Sequence, residues 1–132
     1  MTLRALICVI AAVLCWISPV AAQRAPVDAR ENFEARQRDL VSLAGHLGSL
    51  HRLQQICGSG YRPELYRNRM QDVVELEVPM GSTRLDMIAA FNSSYRDMSR
   101  AYLACGDAAR ATFETEAQQA LRVVERLYAP FR

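Results

Sequence analysis

The sequence has no lysine; all 16 of its basic residues are arginine. Arginine suits bidentate contacts with carboxylate and phosphate, but G+C-rich codon usage accounts for the bias without any ligand. The 14 acidic residues are interspersed among the arginines, and the formal net charge is only +2. No segment carries the clustered positive charge of a nucleic-acid binder. Several chemical signatures are also missing. No CxxC or CxxCH occurs, which removes the usual zinc ribbon and haem attachment. No GxSxG elbow occurs, and the short GSG at 58–60 follows a helical pattern rather than opening one, unlike a phosphate-cradling loop. His46 and His51, the two histidines, are five residues apart and point in different directions on a helix. Metal-binding helical pairs are spaced four apart. Both are expected as surface or boundary residues. Some carboxylate pair always exists among 14 acids, yet a small bundle without a cleft makes a poor glycosidase. The sequence therefore predicts a non-enzymatic protein with no metal and no cofactor.

At 132 residues, with 51% hydrophobic and 23% charged residues, the chain has the balance of one ordinary globular domain. Part of the apolar content is concentrated at the start. Arg4 precedes an unbroken apolar run, Ala5 to Ile17, which Ser18 and Pro19 interrupt. Val20-Ala21-Ala22 then supplies the small residues of a cleavage site. Those 13 apolar residues fall short of the roughly 20 that span a bilayer. Cys15 follows Leu14, where lipid modification needs a small residue. Residues 1–22 are expected to be a cleaved signal peptide, and the protein to be periplasmic, touching the membrane only through that leader. Residues 23–30 are expected to be a mobile arm, with Pro26 against helix. Residues 31–132 form the domain. Cys8 and Cys15 leave with the leader, and Cys57 and Cys105 remain to pair in an oxidising compartment.

The rest of the chain reads as four helices. In the first, from about Glu31 to Cys57, Leu40, Leu43, Ala44, Leu47, Leu50, Leu53, Gln54 and Cys57 recur at helical spacing. Gly45 and Gly48 inside it suggest a close neighbouring helix, and Gly58 a left-handed cap. The second starts at Pro63 and presents Tyr66, Met70, Val73, Val74 and Glu77. The third, capped by Ser82 or Thr83 with Asp86, has a near-heptad seam of Leu85, Ile88, Phe91, Tyr95, Met98, Tyr102 and Cys105, closed by Gly106. Asp107 caps the fourth, whose stripe is Phe113, Ala117, Ala120, Leu121, Val124 and Tyr128. The expected fold is all-α: an up-down bundle of about four helices. Cys57 and Cys105 then fall at one end, in the last turns of the first and third helices. Bridging them needs a pinched bundle, direct contact between those two helices, or a crossed three-helix core with a flanking helix.

Tyr66, Arg69, Asn92, Tyr95 and Arg96 form a candidate polar and aromatic patch. Asn is disfavoured inside a helix and wants a partner. Asn92 and Arg96 could satisfy buried carbonyls or pair with Glu75 or Glu77, which would make the patch structural. The other reading is a partner-binding face, since Tyr and Arg dominate interface energetics.

Cys57-Gly58, Leu65 to Met70, Ala90 to Arg96, and Tyr102 with Cys105 together resemble a family of small exported alphaproteobacterial proteins, of Rhizobiales type, with unknown function. The resemblance spans about Leu40 to Leu127. It implies a Gram-negative periplasm and a disulfide between Cys57 and Cys105, without an activity. Ser94 stands where that family usually has glycine, which makes close backbone contact at that point less expected. The functional expectation is an envelope-partner binder, in cell-wall or outer-membrane maintenance. The alternative is a small-ligand or metal-binding bundle with a pocket lined by Met70, Phe91, Tyr95 and Met98.

Overall fold

A computed structural model describes residues 21–58, 62–77 and 81–129. The expected signal peptide lies outside the described residues except for Ala21 and Ala22. Four α-helices follow one another: α1 (Ala21–Cys57), α2 (Leu65–Glu77), α3 (Ser82–Ala101) and α4 (Asp107–Tyr128). No strand occurs among the described residues, as an all-α fold requires. No helix among them is long and apolar enough to cross a membrane. The chain divides into two compact units, Met1–Glu34 and Ala35–Arg132.

In the first unit the structure differs from the expected arm: residues 23–30 belong to α1, Pro26 included. Proline forgoes a single backbone hydrogen bond there, while the flanking Ala, Arg and Glu favour helix. An exposed Arg30–Glu34 pair at 2.9 Å, one turn apart, adds a little support.

The second unit holds the core, and α1 is its axis. Leu40, Leu43, Ala44, Leu47 and Leu50 bury one face of α1 against Met70 and Val74 of α2, Met87 of α3, and Ala120, Val123 and Leu127 of α4. Leu53 is fully buried as well. Each such leucine contributes about 1.5–3 kcal/mol by leaving water. The leucine stripe of α1 is thus buried as its spacing predicts. Polar contacts order α4 along α1: Arg36 donates to the Leu127 carbonyl at 3.0 Å, Arg126 grips Asp39 at 2.7 Å, and His46 meets Glu116 at 2.7 Å. The numbers rise on one helix as they fall on the other, so α1 and α4 are antiparallel. An Arg36–Glu77 ion pair puts the end of α2 beside the same region of α1.

α1 and α3 are direct neighbours. A Cβ built on Gly48 would lie 2.2 Å from the Phe91 carbonyl oxygen, so only glycine fits. One turn away the contact loosens, and a Cβ on Gly45 would meet the Ser94 hydroxyl at 3.3 Å. Cys57 and Cys105 are disulfide-bonded with Cα atoms 5.0 Å apart. Arg52 donates to the Tyr102 carbonyl beside them at 3.3 Å. The C-terminal ends of α1 and α3 therefore meet, as an up-down order requires.

Several local expectations are corrected. α3 ends at Ala101, so Cys105 lies in the following connection and not in the last turn of α3. Gly106 does not close α3; it is the extended N-cap of α4, and Asp107 is the first helical residue. Gly58 is not left-handed, because among the described residues only Gly81 has positive φ. Gly58 stays tight instead, donating its N–H to the Gln54 carbonyl at 2.7 Å. Gly81 is the N-cap of α3, and no Ser82 or Thr83 side chain caps it. α2 begins at Leu65, one short turn after Pro63.

The seam of α3 is rotated from the expected one. Thr83 and Met87 are its buried residues, with Ala90 and Phe91 packed against the core. Leu85 is 67% exposed and Ile88 also faces solvent. The reason lies in the crossing at Gly48. Two helices pressed backbone to backbone need small groups and main chain in the contact, so the bulkiest residues do not decide which face turns inward. α4 keeps most of its expected stripe: Ala120 is buried and Phe113, Ala117 and Val124 pack against the core, joined by buried Ala109, Val123 and Leu127, whereas Leu121 and Tyr128 are exposed.

Candidate functional site

The five candidate residues do not form one patch. Tyr66 turns inward from α2, its ring edge-on to Phe113 of α4 with centroids 6.1 Å apart. Burial raises its hydroxyl pKa above the ordinary tyrosine value. Arg69 is exposed and meets Asp72 at 3.3 Å. A surface pair of this kind contributes little. Asn92 and Arg96 are exposed on α3. Among the described residues neither pairs with Glu75 or Glu77; Glu77 is taken by Arg36. Helical spacing sets Leu85, Ile88, Ala89, Asn92 and Arg96 on one outward stripe of α3, apolar toward its start and polar toward its end.

Tyr95 lies at the border of that stripe and turns toward α1. Its hydroxyl donates to Gln55 Oε1 at 2.8 Å. That bond orients the Gln55 amide so that its nitrogen, 3.3 Å from His51 Nε2, donates to the ring. His51 Nε2 is then the acceptor and Nδ1 carries the proton, buried and without a partner. The ring packs at 5.8 Å from Phe91 and 5.6 Å from Tyr95, centroid to centroid. His51 is 5% exposed, which corrects its expected surface position. Desolvation lowers its pKa below the usual 6.5; nearby Glu64 partly opposes this and Arg67 reinforces it. With its ring against Phe91 and Tyr95 and its Nε2 bonded to Gln55, His51 joins α1 to α3.

His46 is the more accessible histidine. Its Nδ1 is 2.7 Å from Glu116 Oε2, with the two side chains 18% and 19% exposed. A carboxylate on Nδ1 is also how hydrolytic triads orient their histidine. A nucleophile bonded to the other ring nitrogen is absent among the described contacts. No group of three or more metal-binding side chains occurs among the described residues.

A cavity of about 450 Å³ opens where the last turn of α1, residues 62–65 and the start of α4 meet. Gln54, Gln55 and Cys57 line one wall, Arg62 and Leu65 the second, and Arg110, Phe113 and Glu114 the third. Its size is that of a small-molecule site. It is not where the sequence suggested a pocket, since Met70 is packed in the core at 5% exposed. Sequence reasoning missed Gln55, Glu116 and the cavity. The i, i+4 spacing of His51 and Gln55 was the one local signal for that pair; the rest depends on contacts between distant helices.

Residues 36–131 match the model of a family described as a protein of unknown function, DUF2385. The chain belongs to this family. No curated protein and no solved structure matches it. The DUF2385 match begins one residue inside the second compact unit and takes in both bridged cysteines, all five candidate residues and the cavity. The uncharacterised family expected from the residue pattern is therefore the right kind of assignment.

Proposed function

We propose that this DUF2385 chain is an exported, non-enzymatic alphaproteobacterial protein of the periplasm that binds an envelope partner through the outward stripe of α3. Its pathway would be cell-wall or outer-membrane maintenance. The observation that carries the reading is the exposure of Leu85 at 67%, in line with Ile88, Asn92 and Arg96. Large apolar residues beside Asn and Arg on a firmly held helix have the composition of a contact surface. Export is supported by the leader pattern and by the Cys57–Cys105 bridge, a bond that persists in oxidising compartments. Cleavage after Ala22 would also leave Pro26 as the fourth residue of the mature helix. The first four N–H groups of any helix lack an internal partner, so proline costs nothing there.

The test is cross-linking of the tagged protein in its native envelope, comparing wild type with Leu85→Ser/Ile88→Ser/Arg96→Ala. The expected result is one stoichiometric partner that disappears in the triple variant while its melting temperature holds. Cross-links that survive the triple substitution unchanged would reject the stripe.

A further inference from the structure

We propose that the Cys57–Cys105 bridge is a thiol–disulfide exchange site: an external thiolate enters at Cys57 from the neighbouring cavity, and Cys105 is the sulfur that leaves. The site uses none of the α3 stripe residues, so either reading stands if the other fails.

Access separates the two sulfurs. Cys57 lines the cavity of about 450 Å³ and Cys105 does not. Both residues are partly exposed, so the bridge is not sealed in the core. Pro63, Leu65 and Phe113 give the cavity an apolar wall. Its charged groups are Arg110, Glu114 and Arg62, which has its own partner. A thiolate that comes through the cavity meets Cys57 first.

Charge separates them again. The sulfur that leaves takes the electron pair of the bond, and negative charge on sulfur is favoured at a helix N-terminus and beside arginine. Cys105 has both. It directly precedes Gly106, the N-cap of α4, where no side chain caps the helix. Arg110 Nη1 lies 3.5 Å from its Sγ. Arg110 Nη2 holds Asp107 at 3.3 Å, but that carboxylate is fully exposed and water screens its charge. Cys57 has the opposite setting. It is the last residue of α1, at the negative end of the helix dipole, and no basic residue stands in that last turn. The step therefore has a direction. The external sulfur bonds to Cys57 Sγ as the Cys57–Cys105 bond breaks, and the electron pair departs on Cys105 Sγ as a thiolate. One disulfide replaces another, with no net oxidation. The product holds Cys57 in a mixed disulfide and leaves Cys105 free.

The experiment exposes the oxidised full chain to reduced glutathione, quenches early time points with N-ethylmaleimide, and maps both labels by peptide mass spectrometry. Glutathione should sit on Cys57 and maleimide on Cys105, in at least about tenfold excess over the reverse pattern. Arg110→Ala should slow the exchange about fivefold, because the departing sulfur loses its cation, while the melting temperature of the oxidised protein holds. Arg110→Lys keeps the charge and should stay near the wild-type rate. Reduced thioredoxin is the second probe. If it reacts faster than glutathione at equal thiol concentration, a protein dithiol is the source of the thiolate; if slower, a small thiol is. Glutathione on Cys105 or equally on both cysteines, exchange that occurs only in urea, or a folded Arg110→Ala variant reacting at the wild-type rate would overturn the proposal.

Discussion

Gly48 and Gly45 stand three residues apart on α1 and should respond differently to the same added methyl group. At Gly48 the methyl would enter the Phe91 main chain, which cannot turn aside. Gly48→Ala should cost about 3 kcal/mol, at the upper end of overpacking effects, read as a lower urea midpoint. At Gly45 the methyl meets only a hydroxyl that can rotate. The helix gains about 1 kcal/mol from replacing glycine by alanine, so Gly45→Ala should be close to neutral in the same assay. His51 gives a second residue-scale expectation. Its pKa is lowered in the folded chain by burial. The unfolded chain therefore takes up a proton first as pH falls below about 6.5, and stability drops from there toward the folded pKa. Melting temperatures should fall between pH 7.5 and pH 5, and His51→Leu should flatten that slope. An unchanged slope in the variant would assign the acid sensitivity to other groups. The glycine pair was legible in the sequence as a close approach. The buried histidine was not, because its aromatic partners Phe91 and Tyr95 lie 40 or more positions away.

α3 is the element on which pattern and structure part. Its apolar spacing favours a seam through Leu85 and Ile88, whereas the chain buries Met87 and Thr83. The substitution test is direct. Met87→Ala should destabilise by about 2–5 kcal/mol, as for other buried large-to-small changes. Leu85→Ala should leave the urea midpoint nearly unchanged. The opposite ranking would restore the heptad seam. α1 shows why pattern reading works elsewhere: five buried apolar residues share one face because three other helices converge on it. α3 packs chiefly on α1, and its orientation is set by one tight crossing that hydrophobic periodicity does not encode. The connection after α3 matters in the same way. Because Cys105 lies outside the helix, the bridge fastens a short linker to the end of α1. The loop it closes spans 48 positions, and in the chain-entropy view its reduction should cost about 4 kcal/mol. The urea midpoints of oxidised and reduced protein measure this.

At the scale of the molecule, the all-α class, the number of helices, the bridge and the convergence of helix ends could all be read from spacing and cysteine count. The candidate site could not. Tyr66 became an internal strut, Tyr95 turned toward α1 at the border of the stripe, Arg69 stayed exposed in a local ion pair, and Asn92 and Arg96 remained outward. Helical periodicity assigns a residue to a face but says nothing of which distant helix covers it. The cavity has the same origin, arising from three segments that no sequence window contains together.

The central place of α1 has a consequence in time. It is synthesised before the other three described helices, yet its apolar face is covered last, since Ala120, Val123 and Leu127 come from α4. At translation speeds of about 5–20 residues per second, the leucine row waits several seconds for its final neighbours. During that interval the nascent chain presents a greasy ridge and an unpaired Cys57 thiol, and safe passage depends on whatever shields the ridge until α4 emerges.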